Sequence, residues 1–512
     1  MSTVHSSNTI FGHPRGLVIC FLTEMWERFS FYGMKFLLVL YLTKYHLFTD
    51  VQGLDVLGSY AGLVYALPVI GGMLADKYLG MRKAVLFGGT LLVFGHLGLA
   101  FEGTQATMVD GVLHQDEFAL KIFYFSLALI IVGVGFLKPN ISTIVGKLYA
   151  KDDPRRDSGF TIFYMGINLG SFLATILCGW LGETYGWGYG FGLAGIGMLF
   201  GLATFTWGQK YLEGHAEPHE PALLKEKVFI GINREMVIYG VSILFLSVIW
   251  YLVQYNHIVH TTLNIMAGVV LLWLIWFLST KCNKVEREQM IVLVSLTIFT
   301  VVFWALFEQS AASMTLFADR VVDRTVVGGW ELTAVQTGGL NAMFIFLLAP
   351  LFAWLWVFLS KRKWEPSTPV KFGLGILQVG LGFGALVIGA SMPDESGKVA
   401  LIWLVFAYLL HTTGELCLSP VGLSAVTKLS VPKVVGVMMG TWFLATAYSE
   451  LVAAQIAKFA AMDTTGGVIT DIGAAVAKYS EFFTDLFWIG LGFGVFVLLL
   501  SPLLKRGMHG VH

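Results

Sequence analysis

Two carboxylates and two cations lie within EMWERFSFYGMK (24–35), inside an otherwise apolar run that is long enough to cross a bilayer. Each charged residue near the centre of a spanning helix costs about 2.5–3.5 kcal/mol. The four residues are Glu24, Glu27, Arg28 and Lys35, and their spacing places them on one helix face. A row of charges is untenable against lipid, so this face is predicted to line a wet or protein-lined interior.

Three further ionisable residues lie well inside apolar runs, whereas Glu450 and Asp485, in the last two runs, are expected near the outer membrane boundary and weaken the pattern that follows. The three are Lys138 in GFLKPN, Glu308 in FWALFEQS and Glu415 in HTTGELCLSP. If the seventh and eighth runs are an insertion, all these charges fall in the first and fourth helices of two six-helix halves. Inverted repeats that line one central cavity would give this pattern. The first half then supplies mainly cations and the second half carboxylates.

The composition is that of an integral membrane protein. Of the 512 residues, 56% are hydrophobic and 13% are charged, whereas a soluble domain carries about 25% charged residues. Fourteen apolar runs of about 20 residues follow one another along the chain. We therefore predict an all-α membrane protein with fourteen transmembrane helices in the lipid bilayer. The net charge of zero argues against a nucleic-acid partner.

Loop charges predict the orientation of the chain. Most of its 33 lysines and arginines fall in alternate loops, which are cytoplasmic if both termini are cytoplasmic. This assignment places Arg320 in an outside loop and Lys371 in an inside loop. We divide the chain into an N-terminal six-helix bundle (1–214), an inserted transmembrane helix pair with cytoplasmic linkers (215–284) and a C-terminal six-helix bundle (285–512).

Four sequence motifs resemble those of one family. EMWERFSFYG looks like the ExxERFxYYG motif of the proton-dependent oligopeptide transporters, a branch of the major facilitator superfamily. FYMGINLGSF (163–172) resembles the family's FYxxINxGSL element, and the segment 414–432, which begins GELCLSP, resembles another. GGMLADKYLGMRK (71–83) is similar to the superfamily's loop between its second and third helices. The inserted helix pair is similar to that of bacterial members.

The resemblance implies the major facilitator fold and proton-coupled import of di- and tripeptides by alternating access across a bacterial inner membrane. Such a carrier is not an enzyme, and protons are its coupling ion in place of any cofactor or metal. In the family's scheme, Arg28 and Lys138 receive the peptide carboxylate, and Glu415 receives the amino terminus. Further positions that align with the peptide pocket are Tyr32, Lys35, Tyr65, Asn168, Trp304, Asn341, Ser419 and Trp442. An amide in a spanning helix needs a partner, so we expect Asn168 and Asn341 to bind a neighbouring helix or a ligand. The oligomeric state does not follow from the sequence.

Proton coupling needs carboxylates whose proton affinity depends on the state of the carrier. Burial raises this affinity and a neighbouring cation lowers it. A peptide carboxylate that binds Arg28 would withdraw the cation from Glu24 and Glu27 and so favour proton uptake. Glu308 is a second candidate proton site. The family scheme also pairs Lys35 with Glu308 at an outer gate, and Lys138 with Glu415 at an inner gate.

Alternatives remain open on the residues alone. The buried charges could be static ion pairs, although desolvation offsets much of the Coulomb gain of such pairs. The same fold could carry nitrate or drug-like anions, which have less need of Glu415. A channel would need rings of charge, and an enzyme would need an activated nucleophile or a metal cluster. Two residues depart from the family pattern, since Phe31 replaces a usual tyrosine and Lys35 a common arginine.

Overall fold

The computed structural model describes residues 9–150, 153, 155–218, 220–229, 231–326, 328–464 and 468–511, and almost all of its regular structure is helical. The α-helices of these residues are α1 (Arg15–Lys44), α2 (Asp50–Ala66), α3 (Pro68–Leu74), α4 (Met81–Leu99), α5 (Glu117–Lys147), α6 (Arg156–Tyr185), α7 (Trp187–Gly208), α8 (Pro221–Lys225), α9 (Arg234–Gln254), α10 (Asn256–Thr280), α11 (Lys284–Phe307), α12 (Ser313–Val321), α13 (Ala334–Lys361), α14 (Thr368–Ala390), α15 (Leu401–Leu429), α16 (Val435–Ala457) and α17 (Ile472–Gly507).

The strands of the described chain are short and lie before α1 or in connections between helices. Antiparallel pairs join β1 (Thr9–Ile10) to β2 (His13–Pro14), β3 (Thr107–Val109) to β4 (Val112–His114), and β5 (Lys227–Phe229) to β6 (Ile232–Asn233). A parallel pair joins β7 (Val322–Asp323) to β8 (Val399–Ala400). The fold therefore depends on helix packing.

The helical membrane fold predicted from the sequence is confirmed. Twelve helical segments of the described chain are long and apolar enough to cross a bilayer. Two further long helices are α1, with 30 residues and four internal charges, and α4, with 19 residues. These fourteen segments fit the fourteen predicted runs, although the count of fourteen spans stays a prediction. The predicted inserted pair corresponds to α9 and α10.

Two of the predicted spans are interrupted helices. The second breaks between α2 and α3 at Pro68, which has no N–H for the helix ladder, and continues as a π-helical turn over Ala75–Leu79. The ninth breaks between α11 and α12, where residues Glu308–Ala311 form a 3₁₀ turn. Apolar runs are continuous across both breaks, so hydropathy alone did not reveal them.

The described chain forms two compact units. Unit 1 comprises residues up to Leu37 together with Leu63–Tyr255, and unit 2 comprises Leu38–Gly62 together with Asn256 onwards. The end of α1 and most of α2 thus pack with the helices from Asn256 onwards. Of the inserted pair, α9 belongs to unit 1 and α10 to unit 2. The predicted three-part division of the chain stays a prediction.

Each unit is a set of closely packed helices. In unit 1, α4 packs against α5 and α7, and α5 also packs against α9. In unit 2, α14 packs along α17 and α15, and α11 packs against α16. The α14–α17 contact depends on glycine, because a Cβ at Gly380 would lie 2.8 Å from the carbonyl carbon of Gly490. Small residues of this kind let helix backbones approach in membranes.

Candidate functional site

Three charged residues of α1, Glu24, Glu27 and Arg28, form a buried ion cluster in unit 1. Arg28 donates through Nη2 to Oε1 of Glu27 at 2.6 Å and through Nε to the other oxygen of the same carboxylate. Its Nε also lies 3.5 Å from Oε1 of Glu24. All three side chains are buried, so this charged face is turned to the protein interior, as predicted. The second oxygen of Glu24 has no hydrogen-bond partner among the described residues.

Phe31 provides an aromatic surface for two cations of α1, Arg28 and Lys35. The Arg28 guanidinium carbon lies 4.7 Å from the centre of the Phe31 ring and 6.0 Å from that of Tyr32. Lys35 follows Phe31 by one helical turn, and its ammonium lies 5.8 Å from the centre of the Phe31 ring. A ring face attracts a cation most strongly where water is excluded. The substitution of phenylalanine for the family's tyrosine therefore removes a hydroxyl but keeps this contact.

The motif FYMGINLGSF brings α6 against the charged part of α1. A Cβ at Gly170 would collide with the carbonyl oxygen of Met25 and would lie 3.1 Å from Cβ of Arg28. Only glycine permits this approach beside the ion cluster. Asn168, in the same motif, donates to the carbonyl oxygen of Tyr164 at 3.1 Å. Its amide thus bonds within its own helix, whereas we expected a neighbouring helix or a ligand.

Lys138 and Tyr65 meet within unit 1. The Lys138 ammonium lies 4.3 Å from the centre of the Tyr65 ring, and both side chains are half-buried. Lys138 directly precedes Pro139, the one proline inside α5. The two predicted pocket residues therefore form a cation–π pair, which holds a positive charge without neutralising it.

In unit 2, a glutamate is held by an amide from another helix. Asn341 on α13 donates to Oε2 of Glu415 on α15 at 3.1 Å and to the Thr412 hydroxyl at 3.0 Å. Asn341 thus has the neighbouring-helix partner that we expected of an amide in a spanning helix. His411, one turn before Glu415, is buried and bonds through Nε2 to the carbonyl oxygen of Val379 at 3.1 Å, so it serves helix packing.

Three other predicted residues of unit 2 are a glutamate at a helix break and two tryptophans that pack against neighbouring residues. Glu308 begins the 3₁₀ turn that interrupts the span after α11, and it is half-buried. Trp304, one turn earlier, packs edge-on against Phe307 with ring centres 5.2 Å apart. Trp442 is buried and fills the space beside Gly422, where a Cβ would lie 2.5 Å from the indole ring.

The predicted site residues are divided between the two units. Unit 1 holds Glu24, Glu27, Arg28, Tyr32, Lys35, Tyr65, Lys138 and Asn168, and unit 2 holds Trp304, Glu308, Asn341, Glu415, Ser419 and Trp442. The structure joins Arg28 to its two glutamates, Lys138 to Tyr65, and Asn341 to Glu415. The expected pairs Lys35–Glu308 and Lys138–Glu415 each combine residues of different units and stay predictions.

Two cations assigned to loops from the sequence are in fact buried. Arg320 is 7% exposed and is held by Asp50, and Lys371 is 6% exposed and is held by Glu365. The assignment failed because each cation lies close to the end of an apolar run, where a loop and a buried helix end look alike. Asp50 precedes Arg320 by 270 residues, so no local spacing signals that pair.

A further polar cluster, also missed from the sequence, joins the inserted helix α10 to other parts of unit 2. Lys458 and Gln455 donate to Oδ1 of Asp55 on α2, with a distance of 3.4 Å from Gln455. Nε2 of His260 on α10 lies 3.7 Å from the same oxygen. These residues attach α10 to the part of α2 that belongs to unit 2.

The described part of the chain contains neither a candidate metal site nor a disulfide bond. No group of three or more His, Cys, Asp or Glu residues there could hold a metal ion. Cys20, Cys178, Cys282 and Cys417 are all free thiols.

Comparison with known proteins gives consistent matches over the chain. The family model described as POT family matches residues 82–496. The uncharacterized transporter YclF of Bacillus subtilis (strain 168) is 40% identical over 98% of this chain and 96% of its own length. A di-/tripeptide transporter of Lactococcus lactis subsp. lactis (strain IL1403) is 34% identical over 98% of both chains. The crystal structure of a mutant peptide transporter POT in complex with alafosfalin has a TM-score of 0.81 at 35% identity, covering 98% of this chain and 97% of that one.

Proposed function

Because the chain belongs to the POT family, we propose that it imports di- and tripeptides together with protons by alternating access. As a member of this family it is a multi-pass membrane transporter of the major facilitator type and not an enzyme. A support for this proposal is the similarity to the di-/tripeptide transporter of Lactococcus lactis.

Opposite charges in the two units support a peptide substrate. Unit 1 carries Arg28 with its aromatic neighbours and Lys138 above Tyr65, and unit 2 carries Glu415 oriented by Asn341. A short peptide is a zwitterion whatever its side chains are. In our proposal Arg28 and Lys138 take its carboxylate and Glu415 takes its ammonium group, while Tyr32, Lys35, Tyr65, Asn168, Trp304, Asn341, Ser419 and Trp442 complete the pocket.

The bonding of Arg28 is the single observation that carries the coupling proposal. Its guanidinium already donates to Glu27 and lies near Glu24, so in our scheme an arriving peptide carboxylate competes with these carboxylates for the same positive charge. In our scheme a carboxylate displaced from Arg28 takes up a proton, which removes the cost of leaving a buried charge unpaired. Glu24 is our first candidate, because its second oxygen can accept a proton without giving up an existing hydrogen bond.

The gates complete the cycle in this proposal. Glu308 lies at the break between α11 and α12, where a helix can bend with little loss of backbone hydrogen bonding. We assign Glu308 and Lys35 to the outer gate, and Lys138 and Glu415 to the inner gate. Substrate at Lys138 and Glu415 would then weaken the inner gate, which links binding to opening.

The direction of transport follows from the proposed orientation in the membrane. From the positive loops we assign both termini to the cytoplasm, and in our proposal the protein lies in a bacterial inner membrane. A peptide of zero net charge that enters with one proton is driven by about 2.3 kcal/mol per 100 mV of membrane potential.

Uptake of labelled dialanine into liposomes tests the proposal. Purified protein is reconstituted, and an inward proton gradient with an inside-negative potential is imposed. We expect concentrative uptake that a protonophore abolishes. Uptake that only reaches equilibrium would show that transport is not coupled to protons. If folded protein took up no dialanine, its substrate would have to be another anion, such as nitrate.

A further inference from the structure

Unit 2 contains a concave site whose lining includes none of the residues assigned to the peptide. It is a cavity of about 500 Å³ between the C-terminal ends of α13, α15 and α17 and the N-terminal end of α14. Four lysines line it, Lys363, Lys371, Lys428 and Lys505, with Glu365 as the single carboxylate of the lining. We call it the lysine cavity.

Ordinary surface charge does not account for the lysine cavity. Lysines near the C-terminal ends of helices are favoured by the helix dipole, which suits Lys428 in the last turn of α15 and Lys505 in the last turn of α17. Lys371 is different, because it lies at the end of the first turn of α14, where the dipole disfavours a cation. Its side chain is also almost entirely buried.

One carboxylate holds Lys371, and it leaves the cavity strongly positive. Glu365 accepts from the Lys371 ammonium at 2.6 Å, and the same ammonium lies 4.5 Å from the centre of the Trp356 ring. Against four lysines the lining offers this one acid, so the cavity has a formal charge of three positive units. Like charges brought together in a partly enclosed site repel unless an anion joins them.

The lining also offers polar groups suited to an oxyanion. The lining includes four residues that carry a hydroxyl group, Ser360, Ser367, Thr368 and Ser424. The Ser367 side chain, at the N-cap of α14, makes no hydrogen bond to the first turn of that helix. Ammonium groups, hydroxyls and a helix N-terminus are the usual donors to phosphate oxygens.

We propose that the lysine cavity binds an anion that bears a phosphate group, either the headgroup of an anionic phospholipid or free phosphate. The proposal is independent of the peptide site and of proton coupling. The cavity lies on the side of the membrane that the loop charges predict to be cytoplasmic, where basic pockets between helices meet anionic headgroups.

A pair of double variants separates this site from general surface charge. Lys363→Gln/Lys505→Gln removes two exposed lysines of the cavity lining, and Lys361→Gln/Arg506→Gln removes two exposed cations beside them that do not line it. All four positions are at the surface, so both variants should fold, which their unfolding temperatures will check. The delipidated wild type and both variants are titrated with dioctanoyl phosphatidylglycerol, with inorganic phosphate and, as the neutral lipid control, with dioctanoyl phosphatidylcholine.

We expect saturable binding of phosphatidylglycerol, phosphate or both by the wild type and the control variant, weakened by about tenfold or more in the cavity variant. Binding of phosphatidylglycerol alone identifies a lipid headgroup as the ligand, and phosphate binding of similar strength identifies the free anion. The proposal is overturned if the wild type binds neither probe, if phosphatidylcholine binds equally well, or if both variants lose binding equally.

Discussion

Arg320 and Asp50 form a doubly hydrogen-bonded ion pair inside unit 2. The two guanidinium nitrogens Nη1 and Nη2 lie 2.7 and 2.6 Å from the two carboxylate oxygens, and both side chains are almost completely shielded from solvent. The backbone N–H of Met462 donates to the same carboxylate at 2.9 Å, and the Tyr479 hydroxyl lies 3.5 Å from Nη1. The pair fixes the start of α2 against the end of α12.

Removing one partner of this pair should be strongly destabilising. Arg320→Ala leaves the Asp50 carboxylate buried without its cation, and such losses cost about 3–5 kcal/mol. Unfolding in denaturant, followed by tryptophan fluorescence in detergent, measures the change. Arg324→Ala is the control, because Arg324 pairs with the exposed Glu331 and should cost about 1 kcal/mol or less.

The double variant Asp50→Ala/Arg320→Ala distinguishes a buried pair from two separate contributions. It removes both charges, so its loss of stability should be smaller than the sum of the two single losses. Simple additivity would show that the two side chains do not interact in the folded protein in solution.

The sequence predicted the fold because the membrane imposes one strong rule. Long apolar runs must become helices that satisfy their own backbone, so the long helices could be located as fourteen apolar runs, whereas the short helix α8 was not predicted. The breaks at Pro68 and Glu308 were missed, since apolar residues continue across them. The attachment of Leu38–Gly62 to unit 2 was also missed, because packing between distant segments has no local signature.

The candidate site was predictable where a residue type is costly in a membrane. Glu24, Arg28 and Glu415 stood out for that reason alone. Partners were harder, because the sequence does not reveal that Asn341 bonds Glu415 or that the Lys138 ammonium meets the Tyr65 ring. The polar cluster of Asp55 and His260 had no signal, since both residues lie near run ends where charge is tolerated.

Neutralising Glu24 should uncouple transport from protons while leaving peptide exchange intact. Glu24→Gln keeps the size of the side chain but cannot gain or lose a proton. We expect loss of proton-driven accumulation of dialanine in liposomes, with counterflow of labelled peptide retained within about twofold of wild type. Accumulation at the wild-type level would exclude Glu24 from coupling, and loss of both activities would indicate damage to the fold.

Glu415→Gln should weaken peptide binding selectively. The amide can still meet Asn341 but no longer offers a negative charge to the peptide ammonium, and a hydrogen bond to a charged group contributes about 1.5–3 kcal/mol. The inhibition constant of dialanine should therefore rise by about tenfold or more. N-acetyl-dialanine, which has no ammonium group, serves as the matched ligand, and an equal loss for both would refute the assignment of the amino terminus to Glu415.

Gly170→Ala should disturb the ion cluster of α1 by way of helix packing. The added Cβ would meet the Met25 carbonyl oxygen, lie 3.0 Å from the Phe29 backbone nitrogen and crowd Arg28. Backbone atoms cannot rotate out of the way as a side chain can. The helix α6 must therefore move away from α1, which lowers the free energy of unfolding by about 1–3 kcal/mol. We expect a lower unfolding temperature and weaker peptide binding.

Gly268→Ala on α10 is the control, because no atom lies within 4 Å of its Cβ position, and alanine is the better helix former there. Equal stability of the two variants would mean that α6 and α1 are not in close contact at this point.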